Sequence, residues 1–175
     1  LAEVRGPGWF LAGDGAKRDA DGDLWILGRI DDVINISGHR LSTIEIESAL
    51  VSHPDVVEAG VCPVPDATTG LGAVAFTELT AAARERLNGA LTAGDSEAEA
   101  RLLAELRSHV GSVIGPVAKP RTVIPVPEVP KTRSGKIMRR LLTQLHEDDT
   151  LGDTTSLQNE HCVPQIAQIC RERVG

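Results

Sequence analysis

Pro130-Lys131-Thr132-Arg133-Ser134-Gly135-Lys136 runs directly into Ile137-Met138-Arg139-Arg140-Leu141-Leu142-Thr143-Gln144-Leu145, a basic, glycine-bearing loop ahead of an apolar and basic helical stretch. A Ser-Gly hinge followed by lysine is suited to carry a cation to an anion. Between Lys119 and Arg140 stand seven Lys or Arg against Glu128 alone. That local balance of +6 leaves −13 for the rest of a chain whose net charge is −7. Positive potential concentrated on an otherwise acidic chain points to a small anionic target, a phosphate or a carboxylate. A solvated basic helix end would account for Arg139 and Arg140. It would not account for the hinge or for Lys136.

Working outward, the pattern predicts a strand at 121–126 before the loop and a helix from about 137 to 146 after it. Two Ala-, Leu-, Glu- and Arg-rich helices are expected at 80–92 and 96–113, split by Ala93-Gly94-Asp95 and ended by Gly115-Pro116. Strands are expected at 73–79 and 56–64, the latter interrupted at Gly60 and Pro63, and another at 33–36 ended by Ser37-Gly38. Ser42 and Glu45 form a capping box for a helix that stops at Pro54. Trp9-Phe10-Leu11-Ala12 and Leu24-Trp25-Ile26-Leu27 flank the aspartate-rich turn 19–23 as a hairpin. A calcium loop fails there, because Gly22 comes two positions early and Ile30 stands where a bidentate Glu belongs. The tail has a turn-rich stretch at 151–155, then a weak amphipathic helix on Val163, Ile166, Ile169 and Cys170, read as a docking or frayed end. Strands and helices mixed in this order predict an α+β fold, a small mixed sheet with flanking helices.

A hydrophobic content of 41% over 175 residues permits a core, which two Phe, two Trp and no Tyr make aliphatic. Net acidity and the lack of aromatic-basic interleaving argue against nucleic acid as a partner, and no run reaches membrane-span length. The default is a cytoplasmic protein, with the mitochondrial matrix as the alternative. The chain opens at Leu1 and its only methionine is Met138, so a fragment or processed product is expected. Cys62, Cys162 and Cys170 lack C-x-x-C spacing and read as free thiols of a reducing compartment. No metal site is expected, since His161, Cys162 and Cys170 lack a fourth ligand at tight spacing.

Three clusters carry chemistry: Gly13-Asp14-Gly15; Gly28-Arg29-Ile30-Asp31-Asp32 with Ser37-Gly38-His39-Arg40; and Lys131 to Lys136. Taken singly, each has a turn or cap explanation. A nucleotide P-loop is excluded, because Pro130 stands where its first glycine belongs and Ile137 where its hydroxyl belongs. In this order the clusters resemble the carboxy-terminal part of the AMP-forming acyl-CoA synthetases. The stretches 28–35, 37–41, 44–50 and 131–140, with Leu151-Gly152-Asp153-Thr154-Thr155, are similar to the acetyl- and propionyl-CoA synthetase branch.

That resemblance implies a two-step ligase. A carboxylate and Mg2+-ATP form an acyl-adenylate and pyrophosphate, after which coenzyme A gives acyl-CoA and AMP. Lys136 would be the catalytic ammonium between the attacking carboxylate and the α-phosphate. Asp14 would accept the ribose hydroxyls, Arg29 would hold phosphate oxygens, and Arg40 would contact nucleotide or phosphate. Asp31 would be the hinge of a rotating lobe, while Ser37 and Gly38 admit the pantetheine arm of CoA. The resemblance also implies control by a lysine acetyltransferase and deacetylase acting on Lys136.

Under the same resemblance residues 1–30 end the large amino-terminal domain, 31–148 form the mobile carboxy-terminal lobe and 149–175 the tail. The fragment alone would not turn over, because the acyl pocket and phosphate loop belong to the missing domain. Gly111 departs from the family by standing where a basic residue often meets the CoA nucleotide. The Gly70-Leu71-Gly72-Ala73-Val74-Ala75-Phe76 stretch replaces a more polar one, and 80–101 reads as a surface insertion. Two other classes stand beside the ligase: a binding module that kept the fold and lost catalysis, and an adenylating enzyme without CoA chemistry.

Overall fold

Asp19 closes the first hairpin of the computed structural model, which describes residues 13–29 and 32–174 of the chain. Its Oδ1 accepts the N–H groups of Asp21 and Asp23, both at 3.0 Å, and its Oδ2 accepts the Trp25 indole N–H at 2.8 Å. The indole bond, aided by the backbone donors, holds the Asp19 carboxyl below the usual carboxylate range. The carboxylate is thus committed to the turn. The strands it joins are β1 (Asp14–Arg18) and β2 (Leu24–Arg29), paired antiparallel with a bulge between Gly15 and Ala16. The expected partner strand, Trp9 to Ala12, lies outside the described residues; the segment that pairs with β2 is β1.

The hairpin belongs to one compact unit, Leu1–Val33, and the remaining elements to a second, Ile34–Gly175. β3 (Val33–Ile36), which starts at the last residue of the first unit, pairs with β4 (His39–Ser42), and α1 (Thr43–Val51) follows without a loop. Ser42 is the N-cap of α1 but its side chain makes no capping bond, which corrects the capping-box expectation. The residue ends a strand, and its extended backbone (φ −86°, ψ 130°) leads straight into the helix.

The core is a three-stranded mixed sheet in the order β5 (Val56–Asp66), β6 (Gly70–Leu79), β7 (Thr122–Val126). The first pair is antiparallel and the second parallel. Parallel neighbours need a long crossover, supplied here by α2 (Ala81–Thr92), α3 (Ala98–Val113) and a 3-10 turn at Pro116–Ala118. Alternation sends Ala59, Val61, Ala75 and Val123 to one face with Ile46, Leu50, Leu106 and Val110. The other face carries Cys62, Val64, Phe76 and Ile124, covered by α4 (Arg139–His146) and α5 (Cys162–Val174). Val56 falls on the first face because a register shift lies between it and Glu58.

The expected breaks at Gly60 and Pro63 do not occur, and β5 runs through both to Asp66. β5 is an edge strand, and the Val61 N–H turns away from β6 to a carboxylate of α1, that of Glu47. Pro63 and Pro65 share its parity along the strand, so their missing N–H groups fall on the unpaired edge. Gly60 faces α4: a Cβ there would lie 2.7 Å from Leu142 Cδ1 and 3.0 Å from Ile137 Cγ2. We therefore expect Gly60→Val to destabilise the chain by about 1–3 kcal/mol through overpacking, read as a lowered urea midpoint at unchanged m-value. An unshifted midpoint would mean that α4 does not rest on this strand.

The tail is not frayed. Cys162, Val163, Ile166 and Cys170 of α5 are buried against Leu141, Leu142 and Leu145 of α4. All three cysteines are buried free thiols, and burial pushes Cys62 up to about 12 and Cys162 up to about 11. By contrast α2 buries only Ala83 and lies on the surface, its first turn capped by Thr80 Oγ1 accepting the Ala83 N–H at 3.2 Å.

Candidate functional site

The first unit brings two of the expected nucleotide-binding positions together. Asp14 and Arg29 are cross-strand partners at the open end of the hairpin, and Asp14 is exposed there. Asp31, the expected hinge, lies outside the described residues.

In the second unit Ser37 and Gly38 are the two-residue connection between β3 and β4. Both have positive φ, 49° and 80°, as a two-residue turn of type I′ requires. Ser37 holds that conformation without the freedom of glycine, and its carbonyl lies 3.2 Å from His39 Nδ1. A Cβ on Gly38 would meet nothing within 4 Å. The turn is therefore a narrow, open ridge of backbone. Arg40 is exposed on β4 just beyond it.

Beside Ser37 is a cavity of about 380 Å³, lined among others by Thr68, Thr69, Gly72, Pro116, Lys119 and Arg121. Arg121 pairs there with buried Asp66, whose Oδ1 also accepts the Thr68 and Thr69 N–H groups at 2.8 and 2.9 Å. Gly111 lies under the stem of Lys119, since a Cβ at 111 would fall 2.9 Å from Lys119 Cγ. The lack of a side chain at 111 is what lets this lysine cross α3.

The basic loop is a closed hairpin. Lys131 is bridged antiparallel to Ile137, and the Thr132 N–H donates to the Lys136 carbonyl at 2.9 Å. Within it the Gly135 N–H donates to the Thr132 carbonyl at 2.8 Å, with φ 81° at Gly135. The Lys136 N–H donates to Thr132 Oγ1 at 3.1 Å. Its cations have different roles. Lys131 Nζ pairs with Glu58 Oε2 at 2.5 Å, and that carboxylate raises the lysine above its usual range. Lys136 is exposed, and its ammonium makes no hydrogen bond or ion pair among the described residues. Of the two lysines in the loop, Lys136 is the one without a side-chain partner among the described residues.

Sequence reasoning missed the groups that support this loop. Arg139 grips Glu47 with two bonds, Nε to Oε1 at 2.7 Å and Nη2 to Oε2 at 2.6 Å, while Glu47 Oε1 also accepts the Val61 N–H at 2.8 Å. Their side chains are 17% and 10% exposed, so the pair works largely out of water. Asn159, 5% exposed, ties the start of the loop to the tail. A lone Glu, Arg or Asn tens of residues from its partner carries no local signal; a charged residue on an apolar helix face, as at Glu47, is the one hint available.

Among the described residues no three His, Cys, Asp or Glu side chains converge as a metal site, and no helix is long and apolar enough to cross a membrane.

A family model described as the AMP-binding enzyme C-terminal domain matches residues 45–136. An acetyl-coenzyme A synthetase of Streptomyces avermitilis is 54% identical over 159 residues, covering 91% of this chain and 22% of that protein. Acetyl-coenzyme A synthetase 2 of Debaryomyces hansenii is 50% identical over 163 residues, covering 91% and 23%. The chain thus spans about a fifth of the length of the curated relatives it matches. Among solved structures, ATP-bound MatB from Rhodopseudomonas palustris superposes with a TM-score of 0.58 at 27% identity, covering 82% of this chain and 25% of that one. An acyl-CoA synthetase of Brucella canis gives 0.55 at 34% identity, covering 81% and 24%.

Proposed function

This chain belongs to the AMP-binding enzyme C-terminal domain family, and from that premise we propose that it is the carboxy-terminal catalytic part of an acetyl-CoA synthetase-like, AMP-forming ligase. The observation that carries the reading is the free Lys136 ammonium on a backbone-closed loop, in a chain 50–54% identical to acetyl-coenzyme A synthetases.

In the first step an acetate oxygen attacks the α-phosphorus of ATP, the bond to the bridging oxygen breaks, and diphosphate leaves. Two anions must approach, and a pre-placed ammonium lowers that barrier more than it stabilises the separated reactants. Lys136 supplies it. Asp14 accepts the ribose hydroxyls and Arg29 holds phosphate oxygens; their cross-strand pairing supports a shared nucleotide edge. Arg40 binds nucleotide or phosphate from β4. Magnesium enters as part of the nucleotide substrate, with no step assigned to it.

In the second step the CoA sulfur attacks the acetyl carbon, the carbon–oxygen bond to AMP breaks, and the thiol proton passes to solvent. Ser37 and Gly38 flank the pantetheine arm; the open ridge of their turn supports this role. Asp31 is the hinge on which one lobe serves both steps, within a division into residues 1–30, 31–148 and the tail 149–175. The change of compact unit after Val33 supports a pivot in that stretch. The exposure of Lys136 suits it to a lysine acetyltransferase and deacetylase, since acetylation removes the charge the first step uses. A cytoplasmic setting fits the buried free thiols.

The test joins this chain to the amino-terminal portion of the Streptomyces avermitilis enzyme and follows each step alone. Acetate-dependent ATP–diphosphate exchange and acetyl-CoA formation are both expected, and absence of exchange refutes the reading. With Gly38→Leu, exchange continues while thioester formation falls by about 100-fold. Gly38→Ala separates bulk from the φ requirement, because alanine carries the strain of positive φ with little obstruction. Loss of both steps together in Gly38→Leu would remove Gly38 from the CoA path.

A further inference from the structure

Lys136 has no side-chain partner among the described residues, so its position is set by the backbone that bears it. That backbone is not self-supporting. The hairpin 131–137 has one flank closed by its own turn and the other open, and the tail covers the open flank. Thr132 is bridged antiparallel to Leu157, the Gln158 N–H donates to the Lys131 carbonyl at 2.8 Å, and the Arg133 N–H to the Ser156 carbonyl at 3.3 Å. Residues 156–158 thus run along the loop, joined to it by one bridge and two backbone hydrogen bonds.

Asn159 locks this segment. Its Oδ1 accepts the Lys131 N–H at 2.9 Å, and its Nδ2 donates to the Val129 carbonyl at 2.9 Å. One buried amide therefore joins the tail to the backbone on both sides of Pro130. Anchorage behind it is apolar. Leu157 is buried, and α5 begins three residues after Asn159 and packs on α4, the helix that leaves the other end of the loop. Both exits of the Lys136 loop are thereby held by one tail.

We infer that the tail segment 156–159, with Asn159 as its principal tie, is the positioning element for the Lys136 ammonium in the adenylation step. The inference rests on the reading of Lys136 given above. Asn159 touches no substrate and acts only through the loop. Its removal unpairs two backbone groups, and a small displacement of a catalytic group is enough to cost a large factor in rate.

The experiment uses the joined ligase and measures the half-reactions separately: diphosphate exchange for adenylation, and release of acetyl-CoA from supplied acetyl-adenylate and CoA. Asn159→Ala is expected to slow exchange by about 10- to 100-fold in kcat with a small change in the KM for ATP. The thioester half-reaction stays near its starting rate. Hydrogen exchange at the Lys131 and Lys136 amides quickens. Asn159→Asp keeps the acceptor for Lys131 but sets a second oxygen against the Val129 carbonyl, so it slows the same step by a comparable factor and replaces the alanine variant should that one not fold. Combined with Lys136→Ala, neither substitution slows exchange further, because the group being positioned is gone. Wild-type exchange in both Asn159 variants, with Lys136→Ala slow, overturns the positioning role alone. An equal fall of both half-reactions also overturns it, as that marks a purely structural residue. Wild-type exchange in Lys136→Ala overturns the positioning role together with the reading beneath it.

Discussion

Lys136→Ala in the joined ligase lowers acetate-dependent ATP–diphosphate exchange by about 10² to 10³ or more, the cost of removing one charge stabiliser aimed at a transition state. The loss falls on kcat, because the ammonium is worth most where the carboxylate and α-phosphate crowd together, and less where nucleotide is merely bound. Thioester formation from supplied acetyl-adenylate is expected to be spared, since the proposed function gives that step to the Ser37-Gly38 ridge. Lys131→Ala is the informative comparison. That lysine is committed to Glu58, so its removal leaves a partner carboxylate 26% exposed and produces a stability defect rather than a step-specific one. Equal exchange rates in wild type and Lys136→Ala would strip the loop of its catalytic meaning, whatever its charge.

Glu47→Ala destabilises the chain by about 1–3 kcal/mol, the cost of leaving buried donors without the acceptor they share. Against a total stability of about 5–15 kcal/mol for an ordinary domain, that is a sizeable fraction. Three donors lose their acceptor at once: two N–H groups of the Arg139 guanidinium and the Val61 N–H on the edge of the sheet. Glu47→Gln, which keeps one oxygen for Val61, falls between. Replacing Glu47 and Arg139 together by leucine costs less than the two single changes added, because both remove the same interaction. Urea midpoints at constant m-value measure all three. A loss under about 1 kcal/mol for Glu47→Ala would place the pair with exposed bridges, which contribute about that much. Since α4 begins at Arg139, three residues after Lys136, this pair also fixes the far exit of the basic loop.

The sequence was legible wherever chemistry is local. Alternation and helical spacing located most strands and helices of the second unit, and the resemblance carried by 28–41 and 131–140 pointed to the family whose model matches 45–136. Misreadings arose where a distant neighbour decides a local outcome. Gly60 and Pro63 look like strand breakers until β5 is known to be an edge, with α4 against one residue and an unpaired edge beside the other. Ser42 and Glu45 look like a capping box until β4 is seen to run straight into α1. The 14–18 partner of the first hairpin was missed because its residues, Asp-Gly-Ala-Lys-Arg, have little strand propensity of their own.

By itself the sequence determined the kind of residue present: a lysine after a Ser-Gly hinge, a glycine at a strand exit, and an acidic chain with one basic stretch. Those follow from composition and short spacing, which need no folding to read. Which lysine is free, which carboxylate is buried and which amide braces the loop were decided only by tertiary structure. Lys131 and Glu58 stand 73 residues apart, Arg139 and Glu47 92 apart, and Asn159 and Val129 30 apart. Their pairing depends on desolvation and on distances that exist only once the sheet has brought its two covered faces into place.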